Sequence, residues 1–506
     1  MSKSVFGMGK ARICAVVATP RARDFRDLVR QALKETPTVE LRLDWLANDG
    51  ERHAALEWLR KFAPGNAVFV ATCRRRVGGG EFAGAAAQEI FWLMKAKEAG
   101  CAWCDLEVET MRELRTKSIR GFGLPPKVML SIHDFRRTPK LPEKVKVPAQ
   151  GEFAAVKVAA MSRHLSDSTR LLRLAHRTER VVAVPMGEIG LPARILALRE
   201  GSGLVYAPVA AATAPGQVPL DEMLHLYRAH ELTRKTAVYG VIGNPISHSL
   251  SPLLHNTGYV AAKKDAVFLP FLVERLDDFL KAAPELGVEG FSVTVPHKEA
   301  MFRRLDDCEP LAQRIGAVNT VTVRRDGSLY GSNTDYLGVL RAVERKLQLR
   351  GSRVLIFGAG GSARAAAFAL VQAGAVVFVC ARREKAARAL ARAAGGEAVR
   401  RGALGKERFD AILNATPVGM HPQLEISPLR AGELHCSVVM DLIYRPVQTK
   451  LLQIAAAEGI RTVSGLEMFL AQGIAQWELW MGSRAPELAM RRAVLRALQA
   501  GKQKRW

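Results

Sequence analysis

The sequence predicts an α/β chain in two parts: a (β/α)8 barrel, then a two-lobed α/β unit whose second lobe holds a doubly wound parallel sheet. Three observations lead to this prediction. The chain has 506 residues, whereas single hydrophobic cores stop growing near roughly 250–300 residues. The first half alternates short apolar runs with helix-like stretches, as β/α repeats do. The second half contains a glycine-rich turn between an apolar strand and an alanine-rich helix.

The barrel prediction depends on apolar runs that suit parallel strands buried on both faces. The runs are Ile13–Thr19, Thr38–Asp44, Ala67–Thr72, Ala102–Glu107, Lys127–His133, Phe153–Val158, Val181–Met186 and Gly203–Pro208. Eight such units in about 230 residues predict a small barrel.

The second half starts a different pattern. Its expected strands are Ala237–Ile242, Val267–Leu272, Gly290–Val295, Val318–Val323, Leu329–Asn333, Arg353–Phe357 and Val376–Cys380. A strand, a glycine turn at residues 358–364, a helix and a second strand open a doubly wound fold.

The junction between the two parts is expected at Arg234–Tyr239, after a helix over Leu220–Thr233. It contains no run of glycine and serine, so a short joint is expected rather than a long tether. The predicted domains are residues 1–233 and 234–506. In the second domain, one lobe takes residues 234–335 with the C-terminal helices of 465–506, and the other takes residues 336–464.

The chain is strongly basic, with a formal net charge of +25. Such a charge is found in nucleic-acid-binding proteins and also on surfaces that attract anionic small molecules. The basic residues are spread over helices in both halves instead of forming one dense arm. We therefore expect small molecules as partners and no nucleic acid.

Composition also indicates where the protein works. No apolar run is long enough to cross a bilayer, and Met1–Lys10 lacks the apolar core of a signal peptide. The cysteine count is odd, and several cysteines lie in strand-like runs, which favours reduced thiols. Cys101 and Cys104 form a CxxC pair, but nothing completes a zinc site around them. We expect a cytoplasmic protein with no membrane partner and no metal.

Lys157 lies at the centre of FAAVKVAA, which reads as a buried strand. Burying an ammonium costs desolvation free energy, which favours the neutral amine, the form that attacks a ketone. A lysine that reaches solvent, or one paired with a carboxylate, would fit the segment equally well.

Other polar side chains lie at or beyond the carboxyl ends of predicted barrel strands. Glu40, Arg42 and Asp44 alternate in ELRLD, so they share one face of a strand. The others are Arg74, His133, Arg194, Thr213 and Gln217. Barrel enzymes build their sites at this end, and several cations there suit a carboxylate substrate.

The motifs ELRLD, TCR, SIHDF, the Lys157 strand, MGEIGLPAR and TAPGQ, in this order, resemble type I 3-dehydroquinate dehydratase over essentially the whole first half. The resemblance implies an imine between Lys157 and a substrate ketone, which makes an adjacent C–H acidic. It implies that His133 removes that proton and helps water to leave. It also implies contacts with the substrate carboxylate and hydroxyls for Glu40, Arg42, Arg74, Arg194, Thr213 and Gln217.

The segment after the third strand departs from this family. The family carries R-x-x-x-E-G-G, whereas residues 74–80 read RRRVGGG, so Gly78 stands where a glutamate lies near the histidine. Ala193 likewise replaces a serine. Our hypothesis is that Glu81 reaches toward His133 instead; a weakened dehydratase is the alternative.

The glycine turn GAGGSAR lets backbone approach a pyrophosphate, and the helix that follows supplies N–H donors. The next strand ends in CARR, where an NAD site usually presents Asp or Glu. Arg382 there suits the 2′-phosphate of NADP, although two solvated arginines at a helix start would look the same. The sequence thus predicts NADP as cofactor.

Two residues of the second half could exchange a proton with a carbonyl oxygen. Hydride addition to a ketone makes an alkoxide, which must receive a proton. Lys298 in GFSVTVPHK and Asp335 in SNTDYLG could form a proton-transfer pair without metal, although each alone could be a surface charge.

These segments, with YGVIGNPISHSLSP, GAVNT, NATPVGM, DLIYRPVQT and GLEMFLAQG, closely resemble shikimate dehydrogenase over nearly all of the second half. The resemblance implies Lys298 and Asp335 as the catalytic pair. It implies substrate contacts for Ser247, Ser249, Thr294, Asn319, Tyr444 and Gln472. It implies that NADP is held by Gly358, Gly360, Gly361, Ser362, Arg364 and Arg382, with Asn414 and Met420 near the nicotinamide. The family's N-R-T is here Ala381, Arg382 and Arg383, which keeps the arginine alone.

The two resemblances describe consecutive reactions: dehydration of 3-dehydroquinate to 3-dehydroshikimate, then NADPH-dependent reduction to shikimate. A quinate dehydrogenase is the alternative for the second half, although Ser247 and Ser249 look like the shikimate form. A basic RNA-associated protein with a vestigial barrel is the other alternative, and the intact lysine–histidine and lysine–aspartate pairs stand against it. The sequence leaves open whether the protein is a monomer or a homodimer.

Overall fold

Parallel strands form the barrel of the first half. The computed structural model describes residues 6–62, 64–115, 118–139, 152–176 and 180–499. The barrel strands are β1 (Ile13–Val17), β2 (Thr38–Arg42), β3 (Val68–Thr72), β4 (Trp103–Glu107), β5 (Lys127–Asp134), β6 (Ala155–Met161), β7 (Val181–Met186) and β8 (Val205–Pro208). They pair in the order β7-β6-β5-β4-β3-β2-β1-β8. All eight predicted strands are therefore confirmed.

The residues just before β8 close most of the gap between the two ends of this order. The N–H of Gly203 donates to the Val181 carbonyl at 2.9 Å, and the N–H of Ala183 donates to the Ser202 hydroxyl at 3.1 Å. Apolar side chains fill the interior below the carboxyl ends of the strands. They include Cys14, Val70, Trp103, Met129, Ala155 and Tyr206. The barrel is thus a packed core with polar groups at one end.

Helices surround the barrel: α1 (Ala22–Glu35), α2 (Asp49–Phe62), α3 (Ala86–Glu98), α4 (Val108–Glu113), α5 (Leu165–Ala175) and α6 (Leu191–Leu196). In α1 the buried residues Phe25, Val29 and Ala32 recur at helical spacing, which turns one face of the helix toward the core. Cys101 and Cys104 of the CxxC pair are both buried, and burial raises the pKa of Cys101 to about 12.

A mixed sheet opens the second half. Its strands are β9 (Ala237–Gly243), β10 (Ala266–Leu272), β11 (Val288–Val293), β12 (Asp307–Cys308), β13 (Thr320–Val323) and β14 (Leu329–Ser332). Their order is β10-β9-β11-β13-β14-β12. The antiparallel pairs β11–β13 and β13–β14 bring the ends of β11 and β14 near Asn319.

A parallel sheet follows, built from β15 (Arg353–Phe357), β16 (Val376–Cys380), β17 (Glu397–Ala398), β18 (Ala411–Asn414), β19 (Val438–Asp441) and β20 (Arg461–Val463). Its order is β17-β16-β15-β18-β19-β20, the arrangement of the doubly wound dinucleotide-binding fold. Buried apolar clusters cover both faces of this sheet. The prediction of a doubly wound sheet is therefore confirmed.

The helices of the second half are α7 (Ser251–Ala261), α8 (Leu276–Ala282), α9 (Lys298–Phe302), α10 (Pro310–Ile315), α11 (Asp335–Glu344), α12 (Gly361–Gln372), α13 (Glu384–Ala394), α14 (Lys450–Ala457), α15 (Gly465–Met481) and α16 (Glu487–Gln499). Within the described ranges, no helix has the length and apolar character needed to span a membrane.

One predicted helix is much shorter than expected. The helix predicted over Leu220–Thr233 is reduced to a π-helical turn at Glu222–Leu226. Arg228 then takes a φ of 51°, a left-handed conformation that a right-handed helix cannot continue. The helical period of the segment did not reveal this break.

The chain divides into two compact units whose boundary is not a single cut. One unit contains the barrel up to Val238 and also Asp265–Gly287, which holds β10 and α8. The other contains Tyr239–Lys264 and the described residues from Val288 to Gln499. The division at residues 233 and 234 into two enzymes stays a prediction, and its last residues, 500–506, lie outside the described residues.

Candidate active sites

The first candidate site surrounds Lys157, which is only 3% exposed. β6 alternates its side chains, so Ala155 and Lys157 point into the barrel while Val156 and Val158 pack outward against α5. The ammonium forms an ion pair with Asp105 of β4. It also lies 4.8 Å from the ring centre of Tyr206. Of the alternatives for this lysine, the structure shows the one paired with a carboxylate.

A chain of charged contacts runs from Lys157 to His133. Asp105 also accepts a hydrogen bond from Nη2 of Arg74 at 3.2 Å. The Nε of Arg74 donates to Glu107 at 2.7 Å, and the other oxygen of Glu107 lies 2.8 Å from Nδ1 of His133. The structure therefore brings the two predicted catalytic residues together through three side chains that belong to β4 and the loop after β3.

The pKa values of these groups follow from burial and from these contacts. Burial lowers the pKa of His133 to about 4, and the nearby Arg74 cation acts in the same direction. Burial alone would raise the pKa of Asp105, but Lys157 and Arg74 outweigh it and hold that pKa below its usual range. In the same way, His133 and Arg74 outweigh burial and lower the pKa of Glu107. His133 is thus a neutral base beside two ionised carboxylates at neutral pH.

The other predicted residues of this site have partners of their own. Glu40 accepts a hydrogen bond from the Thr72 hydroxyl at 2.8 Å. Both nitrogens of the Arg42 fork, at 2.9 and 2.6 Å, contact the Asp44 carboxylate. Arg42 and Arg74 are therefore charge-paired before any substrate arrives.

The remaining three predicted residues follow the last two barrel strands: Arg194 comes after β7, and Thr213 and Gln217 come after β8. Arg194 of α6 donates to the Pro185 carbonyl at 3.1 Å, and burial lowers its pKa to about 10. Gln217 accepts from the backbone N–H of Thr213 at 2.7 Å. This contact closes the loop segment between Thr213 and Gln217 and brings these two residues together.

The carboxylate beside His133 is Glu107 and not Glu81. The Glu81 side chain is exposed, and its backbone N–H donates to Asp44 at 3.2 Å. The hypothesis that Glu81 takes the part of the missing glutamate is wrong in this structure. The alternation of Asp105 and Glu107 in the apolar strand WCDLE is the same signal that singled out ELRLD, and it could have identified both residues.

The second candidate site is built around an ion pair between Lys298 and Asp335. Lys298 begins α9 and Asp335 begins α11. The second carboxylate oxygen of Asp335 accepts from Nδ2 of Asn319 at 2.8 Å. The oxygen of the Asn319 amide accepts from the Thr334 N–H at 2.7 Å. Asn319 thus fixes the orientation of the carboxylate toward the lysine.

The predicted substrate residues lie on several elements around this pair. The Tyr444 hydroxyl is hydrogen-bonded to Ser249, and burial raises its pKa. Its ring stacks on Phe469 with centroids 4.4 Å apart. Gln472 of α15 donates to the backbone carbonyl of Phe469 at 2.9 Å.

Two further predicted contacts lie at strand ends. Ser247 is half-buried in the loop after β9. Thr294 follows β11, and its N–H donates to the Ile242 carbonyl at 2.9 Å. Gln476, which the sequence reasoning did not single out, donates to the Asn319 carbonyl at 3.3 Å and supports it from α15.

The glycine turn fits a dinucleotide. Gly358 has a φ of 130°, and a Cβ there would lie 2.8 Å from the Ala415 carbonyl oxygen. At Gly360, by contrast, a Cβ would meet nothing within 4 Å, so the outer side of the turn is open. Gly361 begins α12, and the N-terminal amides of a helix suit an anion.

The other predicted cofactor residues fall into two groups. Arg382 and Met420 are exposed in loops after β16 and β18. Arg364 instead donates to the Ile315 carbonyl, and Asn414 is fully buried with its amide 3.0 Å from Asp441. In this structure both side chains are bonded to other parts of the protein, Arg364 half-buried and Asn414 fully buried. Ser362 contacts Lys298 at 3.1 Å.

Comparison with known families matches both halves. Residues 13–234 match the family described as Type I 3-dehydroquinase. Residues 241–321 match the Shikimate dehydrogenase substrate binding domain, and residues 465–495 match the Shikimate 5'-dehydrogenase C-terminal domain.

Individual relatives extend these matches. The bifunctional 3-dehydroquinate dehydratase/shikimate dehydrogenase, chloroplastic, of Arabidopsis thaliana is 34% identical over 475 residues, which cover 89% of this chain and 78% of that protein. The shikimate dehydrogenase (NADP(+)) of Bacillus cytotoxicus is 40% identical over 273 residues, or 52% of this chain and 98% of that protein. Among solved structures, shikimate 5-dehydrogenase of Thermus thermophilus, in complex with NADP(H) and shikimate, is 37% identical with a TM-score of 0.48 and covers 52% of this chain and 100% of that chain.

Fold, sites and matches together define a lyase barrel of the type I 3-dehydroquinase class fused to a nicotinamide-dependent dehydrogenase. The chain belongs to the family of bifunctional 3-dehydroquinate dehydratase/shikimate dehydrogenases.

Proposed function

We propose that this chain catalyses two consecutive reactions, the dehydration of 3-dehydroquinate to 3-dehydroshikimate and the NADPH-dependent reduction of that product to shikimate. The observation that carries the proposal is the pairing of two lysines, the buried Lys157 and the half-buried Lys298, with specific partners. Lys157 and His133 are linked through charged side chains at the carboxyl end of a barrel, and Lys298 contacts Asp335 beside a dinucleotide turn. The family matches to both halves support the same pair of reactions.

In the barrel, Lys157 as the neutral amine adds to the substrate ketone and water leaves, which forms an imine. The protonated imine withdraws electrons, so a proton on the neighbouring carbon becomes acidic. His133 is neutral near pH 7, because its pKa is lowered to about 4, and it takes that proton. The same proton then accompanies the departing hydroxyl as water, and hydrolysis of the imine returns Lys157.

Substrate recognition in the barrel is assigned to the polar side chains at its mouth. Arg194 carries a buried guanidinium whose contacts are backbone carbonyls, so it is the cation best placed for a carboxylate. Glu40, Arg42, Arg74, Thr213 and Gln217 complete the set. The guanidinium groups of Arg42 and Arg74 would have to bind the substrate and the carboxylates of their present ion pairs at the same time.

In the second site, NADP supplies hydride chemistry when it is bound. Lys298 lies beside Asp335 and can deliver a proton to the carbonyl oxygen as charge develops on it. Asp335 keeps the ammonium in place and Asn319 keeps Asp335 in place. Ser247, Ser249, Thr294, Tyr444 and Gln472 are the proposed contacts for substrate hydroxyls and carboxylate.

The cofactor is proposed to lie on the turn of Gly358, Gly360 and Gly361, with the side chain of Ser362 between the turn and Lys298. Arg382 is the proposed partner of the 2′-phosphate, because it is exposed just after β16. Met420 is proposed to lie beside the nicotinamide. Arg364 and Asn414 act on the cofactor through the backbone they hold.

Substrates and cofactor are anions, and the net charge of +25 would raise their concentration near the surface. The proposed partners are therefore small molecules, without nucleic acid. The cytoplasmic location and the choice between monomer and homodimer remain proposals, and the Arabidopsis relative is named as chloroplastic.

One coupled assay tests both halves. Purified protein receives 3-dehydroquinate and NADPH, and the nicotinamide absorbance is followed. Steady loss is expected for the wild type. Lys157→Met should abolish it and leave reduction of supplied 3-dehydroshikimate intact, whereas Lys298→Met should abolish reduction and leave dehydration intact.

The matched controls are Lys127→Met and Lys281→Met, which remove exposed lysines from β5 and α8 and should change neither rate. NADPH loss with 3-dehydroshikimate but never with 3-dehydroquinate would contradict the proposal for the barrel. Turnover of quinate in preference to shikimate would contradict the proposal for the second half.

A further inference from the structure

The side chain that holds His133 comes from β4. Glu107 is about as buried as Lys157, at 2% exposure. One of its oxygens contacts Nδ1 of His133 at 2.8 Å and the other accepts from Arg74 at 2.7 Å. With both oxygens engaged, the carboxylate cannot rotate without breaking a buried charged contact. His133 thereby has one ring orientation, with Nε2 directed away from Glu107.

Gly78 makes room for this arrangement. It ends a 3₁₀ turn at Arg76–Gly78 and is buried. A Cβ at this position would lie 3.3 Å from Cγ of Glu107 and 3.5 Å from Cγ of Arg74. A side chain at residue 78 would therefore press on Glu107 and lie in van der Waals contact with Arg74. The absence of a side chain at residue 78 and the position of Glu107 are two parts of one packing solution.

We infer that Glu107 is the positioning residue for His133 in the dehydration reaction, and that Arg74 bridges it to Asp105 and so couples His133 to Lys157. This inference rests on the proposed dehydratase function of the barrel. β4 thereby supplies the carboxylate beside His133 that residue 78, a glycine, lacks. Arg74 then has a structural task within the site in addition to any contact with substrate.

The charges support the coupling. Lys157 and Arg74 are two cations, Asp105 and Glu107 are two carboxylates, and the contacts between them form one line. The charged groups that act on His133 are Glu107, Arg74, Lys157 and Asp105. When Lys157 becomes a protonated imine it keeps its positive charge, so the line stays balanced and His133 stays neutral.

Glu107→Gln tests the inference directly. The variant keeps the shape of the side chain and removes its charge. Dehydration kcat should fall about 10²-fold, the lower end of the range for general acid–base catalysis. Imine formation should persist, so borohydride should still reduce the imine and label Lys157 in the presence of 3-dehydroquinate. The acid limb of the kcat profile should move to lower pH, because His133 loses the anion that favours its protonation.

Glu109→Gln is the matched control. It removes a carboxylate two positions further on, whose ion-pair partner is Arg112 at 3.6 Å, and it should leave kcat unchanged. Unchanged kcat in Glu107→Gln, or loss of borohydride labelling in parallel with kcat, would overturn the inference. If the wild type itself neither turns over 3-dehydroquinate nor becomes labelled, the proposed function has failed and not the role of Glu107.

Gly78→Ala provides a second test that leaves every charge in place. The added methyl should displace Glu107 and lower kcat several-fold with labelling intact. Gly65→Ala is its control, because a Cβ there meets nothing within 4 Å. If Glu107→Gln does not fold, Gly78→Ala decides alone: wild-type kcat would overturn the inference, and a lowered kcat with full labelling would support it.

Discussion

The hydroxyl of Ser362 lies 3.1 Å from Nζ of Lys298, so the glycine turn of the parallel sheet touches the lysine that faces the mixed sheet. A Cβ on the adjacent Gly361 would lie 3.3 Å from Cβ of the same lysine. The lysine therefore has one partner in each lobe, Asp335 and Ser362. Any shift of the turn when a dinucleotide binds must therefore also change the position of Lys298, the proposed proton donor.

Ser362→Ala should lower kcat for reduction of 3-dehydroshikimate by about tenfold. A hydrogen bond to a charged group contributes about 1.5–3 kcal/mol, and part of that is regained because Asp335 still holds the lysine. Steady-state kinetics with NADPH at saturation measures this change in kcat. Ser437→Ala, which changes an exposed serine just before β19, should have the wild-type rate. Equal kcat values for Ser362→Ala and Ser437→Ala would contradict a role of the Ser362–Lys298 contact in reduction.

The dehydratase should keep its activity in mildly acidic solution. His133 works as the neutral base and its pKa is lowered to about 4, so kcat should be lost only as the pH falls through about 4 and not through the usual histidine range near 6.5. The kcat profile from pH 4 to 8 checks this, because Lys157 is already held as the imine in the bound complex. Reduction of 3-dehydroshikimate in the same buffers reports whether the protein is intact. An acid limb centred above pH 6 would contradict the lowered pKa.

Arg382→Asp should weaken NADPH far more than NADH. The substitution removes a cation proposed to bind the 2′-phosphate and adds an anion that repels it, whereas NADH lacks that phosphate. KM for NADPH should rise about 10- to 100-fold, the range of a lost charged hydrogen bond. Arg392→Asp changes an exposed arginine of the neighbouring helix α13 and serves as the control for net charge. Parallel changes for both cofactors would exclude a phosphate contact.

Gly258→Ala should destabilise the second half of the chain. A Cβ at Gly258 would lie 2.8 Å from Cζ3 of Trp477 and 3.2 Å from Sδ of Met490, and Trp477 is fully buried. Overpacking of this kind costs about 1–3 kcal/mol. Chemical denaturation followed by tryptophan fluorescence measures the free energy of unfolding. Gly402→Ala adds the same methyl where no atom lies within 4 Å, and its midpoint should be unchanged.

The fold could be predicted from the sequence because parallel strands buried on both faces appear as continuous apolar runs. Lys157 interrupts such a run, and a charged residue there demands a partner. The sequence does not identify that partner. Asp105 belongs to β4 and Lys157 to β6, and their contact depends on strand order and register. Sequence periodicity gives the face of each strand, but it does not say which inward side chains meet across the barrel.

The same reason explains why the hypothesis for Glu81 is wrong. Nearness in sequence suggested that Glu81 serves His133, but the loop after β3 turns its side chain outward while β4 delivers Glu107. The glycine motif also predicts a cofactor contact for Arg364, which stays a prediction; the Nε of Arg364 donates to the Ile315 carbonyl at the end of α10. Motifs identify a turn and its glycines well, because backbone geometry is local. They identify long side chains poorly, because these can reach any of several neighbours.

Residues 265–287 follow all eight barrel strands in the chain and yet belong to the compact unit of the barrel. The backbone N–H of Leu165, at the start of α5, donates to Asp278 of α8 at 2.7 Å. During synthesis the eight barrel strands leave the ribosome well before this segment does. Until translation has passed this segment, the nascent barrel lacks the Asp278 carboxylate that accepts from the start of α5.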